Sequence, residues 1–171
     1  MLLVGYGAIA RRLAELLAPL RMNLIGFKRT PSGDENGVRV LKIGELDEWL
    51  PRADHVINIL PASRQTEEFF AAERFAKFKR SAFYYNIGRG TTNDQSALAA
   101  SLQAGHFAAA YIDATKVEPL PSEDPLWTTP NCFITPHTAG GHSTEFVRHA
   151  ETFLENLRRF LAGEQMIDRI M

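Results

Sequence analysis

A chain of 171 residues, 45% hydrophobic and 23% charged, is long enough to bury the core of one ordinary globular domain. With 19 Lys and Arg against 20 Asp and Glu, the net charge of −1 gives no basic field for nucleic acid and no polybasic run for an anionic membrane surface. A single cysteine, Cys132, cannot close an internal disulfide, and no stretch approaches the roughly 18 apolar residues of a membrane-spanning helix. A cytoplasmic protein is expected, with no nucleic-acid, membrane or metal partner.

The apolar opening Met1–Ala10 lacks the basic start of a signal peptide and runs into Arg11 and Arg12, so it reads as a buried strand, Leu2–Val4, and a turn. A helical period follows over Ile9–Leu17, then a strand over Asn23–Phe27 and a Pro/Gly/Asp surface loop over Thr30–Asn36. Further strands are predicted at Arg39–Leu41, His55–Leu60, Phe83–Ile87, Ala108–Asp113 and Cys132–Thr135. Helices are predicted between them at Ile43–Leu50, Ala71–Phe78 and Asp94–Ala104. A long amphipathic helix from about Ser143 to Leu161 closes the series, stopped by Gly163. Strand-length apolar runs alternating with helical ones imply an α/β fold, a doubly wound parallel sheet in a three-layer αβα arrangement, as a single domain over residues 1–171. The first strand begins almost at Met1, and a buried central strand is rarely a chain terminus, so an excised half of a larger protein or an unusually late start is expected.

Gly5-Tyr6-Gly7-Ala8-Ile9-Ala10 follows the first strand and opens the first helix, which is the context that the G-x-G-x-x-G/A dinucleotide fingerprint of a Rossmann fold requires. Gly5 permits the tight turn, Gly7 lets backbone approach a pyrophosphate, and Ala10 keeps the helix close to the strand. Where an NAD enzyme places an acid for the ribose, the second strand ends in Lys28-Arg29-Thr30. Two cations and a hydroxyl suit a 2′-phosphate better than a bare hydroxyl, which favours NADP over NAD.

Three later segments each stand at the carboxyl end of a predicted strand: Asn86-Ile87-Gly88-Arg89-Gly90, the run from Asp113 through Glu118-Pro119, and Thr135-Pro136-His137 with Gly140 beyond it. That edge is where open α/β sheets bind ligands, so Arg, Glu and His converge on one rim. Reduction of a 2-keto acid needs hydride at the carbonyl carbon and a proton at its oxygen, and an imidazolium supplies that proton near neutral pH. His137 suits that role. A carboxylate at Glu118 would orient the ring and favour its charged form, while Arg89 could clamp a substrate carboxylate.

These segments resemble the D-isomer-specific 2-hydroxyacid dehydrogenases through essentially the whole chain. The resemblance implies that Arg89 binds the substrate carboxylate, that His137 is the general acid/base, and that Glu118 is its partner. It also implies that Asp113 holds the nicotinamide carboxamide, and that Gly5, Gly7, Ala8, Ile9, Lys28, Arg29, Thr30, Leu60, Pro61, Ile87, Gly88 and Gly140 line the cofactor. A homodimer is expected on the same ground. The family's substrate domain lies largely before the first strand of the cofactor domain, and the helix near 143–162 packs on it, so the chain is expected to be incomplete for catalysis. A glyoxylate/hydroxypyruvate reductase is a narrower form of this reading. A dinucleotide-sensing protein like the family's corepressor relatives is the alternative; a methyltransferase would leave the Arg89 and His137 segments without a role.

Overall fold

The computed structural model describes residues 1–31, 33–141 and 143–168. They fall into two compact units, one from Met1 to His137 and one beginning at Thr138.

In the first unit, β1 (Leu2–Val4) is central because it is buried on both faces: Leu2 and Val4 point into one apolar cluster and Leu3 into another. Around it lie β2 (Ile25–Lys28), β3 (Gly33–Glu35), β4 (Val38–Lys42), β5 (His55–Asn58), β6 (Phe83–Asn86), β7 (Ala109–Ile112) and β8 (Cys132–Ile134). Their spatial order is β3-β4-β2-β1-β5-β6-β7-β8, and every neighbouring pair is parallel except β3 with β4. The order reverses at β1, so the gap between the carboxyl ends of β1 and β5 is the topological switch point at which such sheets take ligands.

Helix α1 (Ala8–Leu17) covers one face through Ala10 and Ala14, whose small side chains let it lie against Leu3, Val40 and Ile57. The other face carries the larger cluster, in which Phe70, Phe75, Phe78, Tyr84 and Phe107 meet ring against ring with centroids 5.0–6.3 Å apart. It is roofed by α2 (Leu46–Trp49), α3 (Ala72–Phe75) and α4 (Gln95–Gln103), the last capped by Asp94, whose Oδ1 accepts the Ala97 N–H at 3.0 Å. The second unit is dominated by α5 (Glu145–Leu161), which buries no residue and ends at Gly163 with φ of 70°.

The α/β Rossmann architecture expected from the alternating pattern is therefore present, with four departures. The stretch read as a surface loop, Thr30–Asn36, contains β3, because Asn36 and Gly37 take the two positive φ values (54° and 79°) that a tight hairpin turn requires. The predicted helix Ile43–Leu50 is α-helical only over α2, with tighter 3-10 turns at Ile43–Glu45 and Leu50–Arg52, where Gly44 and Pro51 disfavour regular α geometry. Ala71–Phe78 shortens to α3 because the turns after it bond at three-residue spacing, Lys77 to Arg74 and Phe78 to Phe75. The strands predicted for β5, β6, β7 and β8 also run one or two residues too far at their carboxyl ends. Ile59, Leu60, Ile87, Asp113 and Thr135 lie outside the strands and build the rim.

Phe75 is fully buried between these aromatic partners. Phe75→Ala should lower the unfolding free energy by about 3–5 kcal/mol, measured by urea denaturation of the isolated chain.

Candidate active site

The rim is held from below by buried amides. Asn58 closes β5 and Asn86 closes β6, both with no exposed surface. Asn58 Nδ2 lies 2.7 Å from Thr92 Oγ1, 3.1 Å from the Tyr84 hydroxyl and 3.2 Å from Asn86 Oδ1, while its Oδ1 accepts the Leu60 N–H. Thr92 passes the chain on, donating its hydroxyl to the Arg89 carbonyl at 2.6 Å; Tyr84 donates to Asn93. Asn86 donates to the Ala114 carbonyl at 2.9 Å and accepts from Gly88 N–H. The network thus joins the ends of β5, β6 and β7, and it has no sequence motif beyond two asparagines in otherwise apolar strands. A buried amide must find partners, and that was the available signal.

Two glycines bring the segments close together. A Cβ on Gly88 would stand 2.7 Å from the Leu60 carbonyl oxygen, and one on Gly90 would stand 2.0 Å from the Thr115 carbonyl. The loop after β7 therefore reaches its position only over a residue without a side chain. On that loop Glu118 Oε1 accepts the Thr115 N–H at 3.0 Å and Oε2 lies 2.8 Å from His137 Nδ1. The two side chains are 40% and 42% exposed. The hydrogen bond from His137, opposed by modest desolvation and aided by Thr115, holds the Glu118 carboxyl below its ordinary pKa. Asp113, nearly buried, accepts the Thr135 hydroxyl at 2.6 Å.

Glu118, His137, Asp113 and Thr115 line one end of a cleft of about 600 Å³ whose other walls are Pro119, Leu120, Trp127, Ile134 and Pro136. Arg89 is exposed, one strand along the rim and outside that lining, with Nη1 donating to the Gly88 carbonyl at 2.8 Å.

The structure fits a dinucleotide at the β1–α1 turn. Gly5 has φ of 98°, and a Cβ there would stand 2.8 Å from the Ile59 carbonyl oxygen, whereas a Cβ at Gly7 would point into open space with nothing within 4 Å, so that side of its backbone can be approached closely. No side chain caps α1 at Gly7, which leaves Ala8 and Ile9 at a helix start that favours anions. Leu60 is buried and Pro61 exposed at the end of β5, with Ile87 half-buried beside Gly88. At the ribose end Arg29 and Thr30 are exposed, but the Lys28 ammonium is ion-paired with Glu35 of β3. Among the described residues, the basic pair expected there is therefore an exposed Arg29 beside an ion-paired Lys28. Gly140 lies in an exposed bend of the second unit.

A glycine turn at the switch point, a rim of strand-end residues and a paired carboxylate and imidazole define a nucleotide-binding α/β domain. The sequence pattern of the "D-isomer specific 2-hydroxyacid dehydrogenase, NAD binding domain" family matches residues 1–139, and the chain belongs to that family. It is 33% identical over 168 residues to an "uncharacterized protein in proB 3′ region" of Corynebacterium melassecola, covering 98% of this chain and 55% of that protein. It is 40% identical over 121 residues to glyoxylate/hydroxypyruvate reductase B of Citrobacter koseri, covering 70% of this chain and 37% of the relative. Among solved structures, the D-isomer specific 2-hydroxyacid dehydrogenase of Xanthobacter autotrophicus Py2 in complex with NADPH superposes with a TM-score of 0.87 at 33% identity, over all of this chain and 70% of that one. The chain thus spans about half, or less, of these curated relatives.

Because the folded-state pKa of Glu118 is depressed, its pairing stabilises the fold above the ordinary carboxylate range and is lost as pH falls through the depressed value. In a carbon-detected NMR titration, the Glu118 carboxyl should titrate below the ordinary glutamate range, and His137→Ala should raise it toward that range.

Proposed function

We propose that this chain is the cofactor half of an oxidoreductase that interconverts a 2-keto acid and a D-2-hydroxy acid, with NADP(H) preferred to NAD(H). The observation that carries this reading is the Glu118–His137 pair at 2.8 Å, set beside Asp113 on the rim that also bears the β1–α1 turn. Family membership and the NADPH-bound relative support it.

The residues divide the work by their chemistry. The turn from Gly5 through Ile9 holds the pyrophosphate, Arg29 and Thr30 hold the 2′-phosphate, and Leu60, Pro61, Ile87 and Gly88 complete the wall. Asp113, fixed by Thr135, orients the carboxamide of the nicotinamide, which when bound supplies the hydride. Arg89 binds the substrate carboxylate as a planar donor pair and draws electron density from the adjoining carbonyl. With His137 Nδ1 held by Glu118, Nε2 delivers a proton to the carbonyl oxygen in reduction and recovers it in oxidation. Glu118 remains ionised at neutral pH, since its pKa is lowered, and so stabilises the protonated ring.

A substrate-binding half would supply the opposite wall of the cleft, and the exposed apolar side chains of α5, among them Phe146, Phe153, Leu157 and Phe160, are its docking face in this reading. Glyoxylate or hydroxypyruvate is the substrate that the Citrobacter relative's name suggests. A cytoplasmic homodimer completes the proposal. Among the described residues no helix is long and apolar enough to cross a membrane.

Calorimetry on the isolated chain tests the cofactor half: NADPH should bind more tightly than NADH, with a preference that fades as salt rises. Arg29→Ala should weaken NADPH by about tenfold, the worth of a charge-assisted contact, and leave NADH nearly unchanged. Equal affinities in the parent would overturn the NADP preference, and binding of neither would overturn the cofactor role. The chemistry is tested in an enzyme that joins this chain to a substrate-binding half. There His137→Ala should lower turnover by roughly 10²–10⁴-fold, as loss of a general acid does, at unchanged dinucleotide affinity. Normal turnover would remove His137 from the reaction.

A further inference from the structure

One ion pair at the ribose end is used by neither the fold nor the chemistry above. Lys28, the last residue of β2, pairs through its ammonium with Glu35 on β3, the strand that enters the sheet antiparallel at its far edge. The side chains are only 27% and 20% exposed, so the pair is sheltered compared with an ordinary surface bridge. Side chains alternate along a strand, and a Cβ at Gly26 would meet the Tyr6 ring, so Lys28 emerges on that same face. Glu35 acts there too: together with desolvation, its negative charge raises the Tyr6 hydroxyl pKa, as does that of Asp34, while Arg11 opposes them. The pair therefore ties the β3–β4 hairpin to the end of β2 on the face that carries Tyr6 of the fingerprint turn.

We propose that Glu35 is a cofactor-selectivity residue, a built-in counter-ion that occupies Lys28 and holds down the preference for a 2′-phosphorylated dinucleotide. The inference rests on the dinucleotide reading given above. A 2′-phosphate brings about −1.5 to −2 charges to the end of β2. A free lysine there would attract it as a point charge, whereas a lysine already neutralised presents only a dipole, and the carboxylate itself repels the phosphate. Arg29 and Thr30 are left as the first contacts, and Lys28 joins them only by exchanging Glu35 for phosphate. A dinucleotide with a bare 2′-hydroxyl meets no such exchange, so the pair narrows the gap between the two cofactors.

Calorimetric titration of the full chain with NADPH and with NADH tests this in the parent, Glu35→Gln, Lys28→Met and the double variant, each checked for folding by far-ultraviolet circular dichroism. Glu35→Gln should tighten NADPH by about 3- to 10-fold, the range for release of a sheltered ion pair, and change NADH by less than about twofold. Lys28→Met should cost the parent less than about threefold in NADPH affinity, yet cancel the gain when added to Glu35→Gln. An unchanged or lowered NADPH-to-NADH ratio in Glu35→Gln overturns the inference. So does a loss of about tenfold or more in Lys28→Met alone, a comparison that decides the matter even if Glu35→Gln does not fold. Binding of neither dinucleotide by the parent overturns the cofactor reading and this inference with it, whereas binding with an unmoved ratio overturns this inference alone.

Discussion

Two asparagines at the ends of adjacent apolar strands, Asn58 and Asn86, govern where the rim residues stand. An amide buried without partners costs roughly 1–3 kcal/mol, so each must lock onto whatever polar groups the neighbouring strand ends can offer. Here those groups are the carbonyls of Arg89 and Ala114, the N–H groups of Leu60 and Gly88, and the hydroxyls of Thr92 and Tyr84. Among the described residues no buried side-chain nitrogen or oxygen is left without a partner. The strand ends are consequently fixed in register with one another, and the side chains that emerge above them inherit that register. Gly90 completes the arrangement by letting the loop that carries Glu118 close down onto the turn after β6.

The proposed acid–base pair, by contrast, is only half sheltered. In water-like surroundings an ion pair of this kind gains little, and its electrostatic strength grows as water is excluded. The geometry of Glu118 and His137 is therefore preset by the protein, while the dielectric in which they act depends on what covers the cleft. Orientation therefore resides in this chain, whereas the strength of the pair's electrostatics varies with how far water is excluded from the cleft.

The same contrast explains what could be read from the sequence. The glycine turn, the strand-end Arg89, Glu118 and His137, and the α/β alternation were legible because each depends on local spacing or on a short run of hydrophobicity. The β3 strand was not, because its three residues, Gly33-Asp34-Glu35, carry no apolar signal, and only the Asn36-Gly37 turn marks it. Missing β3 also meant missing Glu35, so the ion pair on Lys28 was not foreseen from sequence: neighbours across a sheet leave no trace in spacing along the chain. Two asparagines in apolar strands signal a buried network, but its partners were not legible, for a related reason. Asn58 and Asn93 lie far apart in sequence and are bridged by the Tyr84 hydroxyl. Helix lengths between β4 and β6 failed where Gly44, Pro51 and three-residue turns interrupt a good periodic pattern.

The cleft wall formed by Trp127 has an optical consequence. Of the two tryptophans, Trp127 is 53% exposed in the lining beside His137, with its indole N–H donated to the Pro121 carbonyl at 2.8 Å. Trp49 sits on α2 with the guanidinium groups of Arg39 and Arg52 at 5.6 and 5.7 Å from its ring. The protein thus carries one emitter in the cleft lining and a second one outside it. Changes in solvent at the cleft are written into the colour of one indole, against the other as an internal standard.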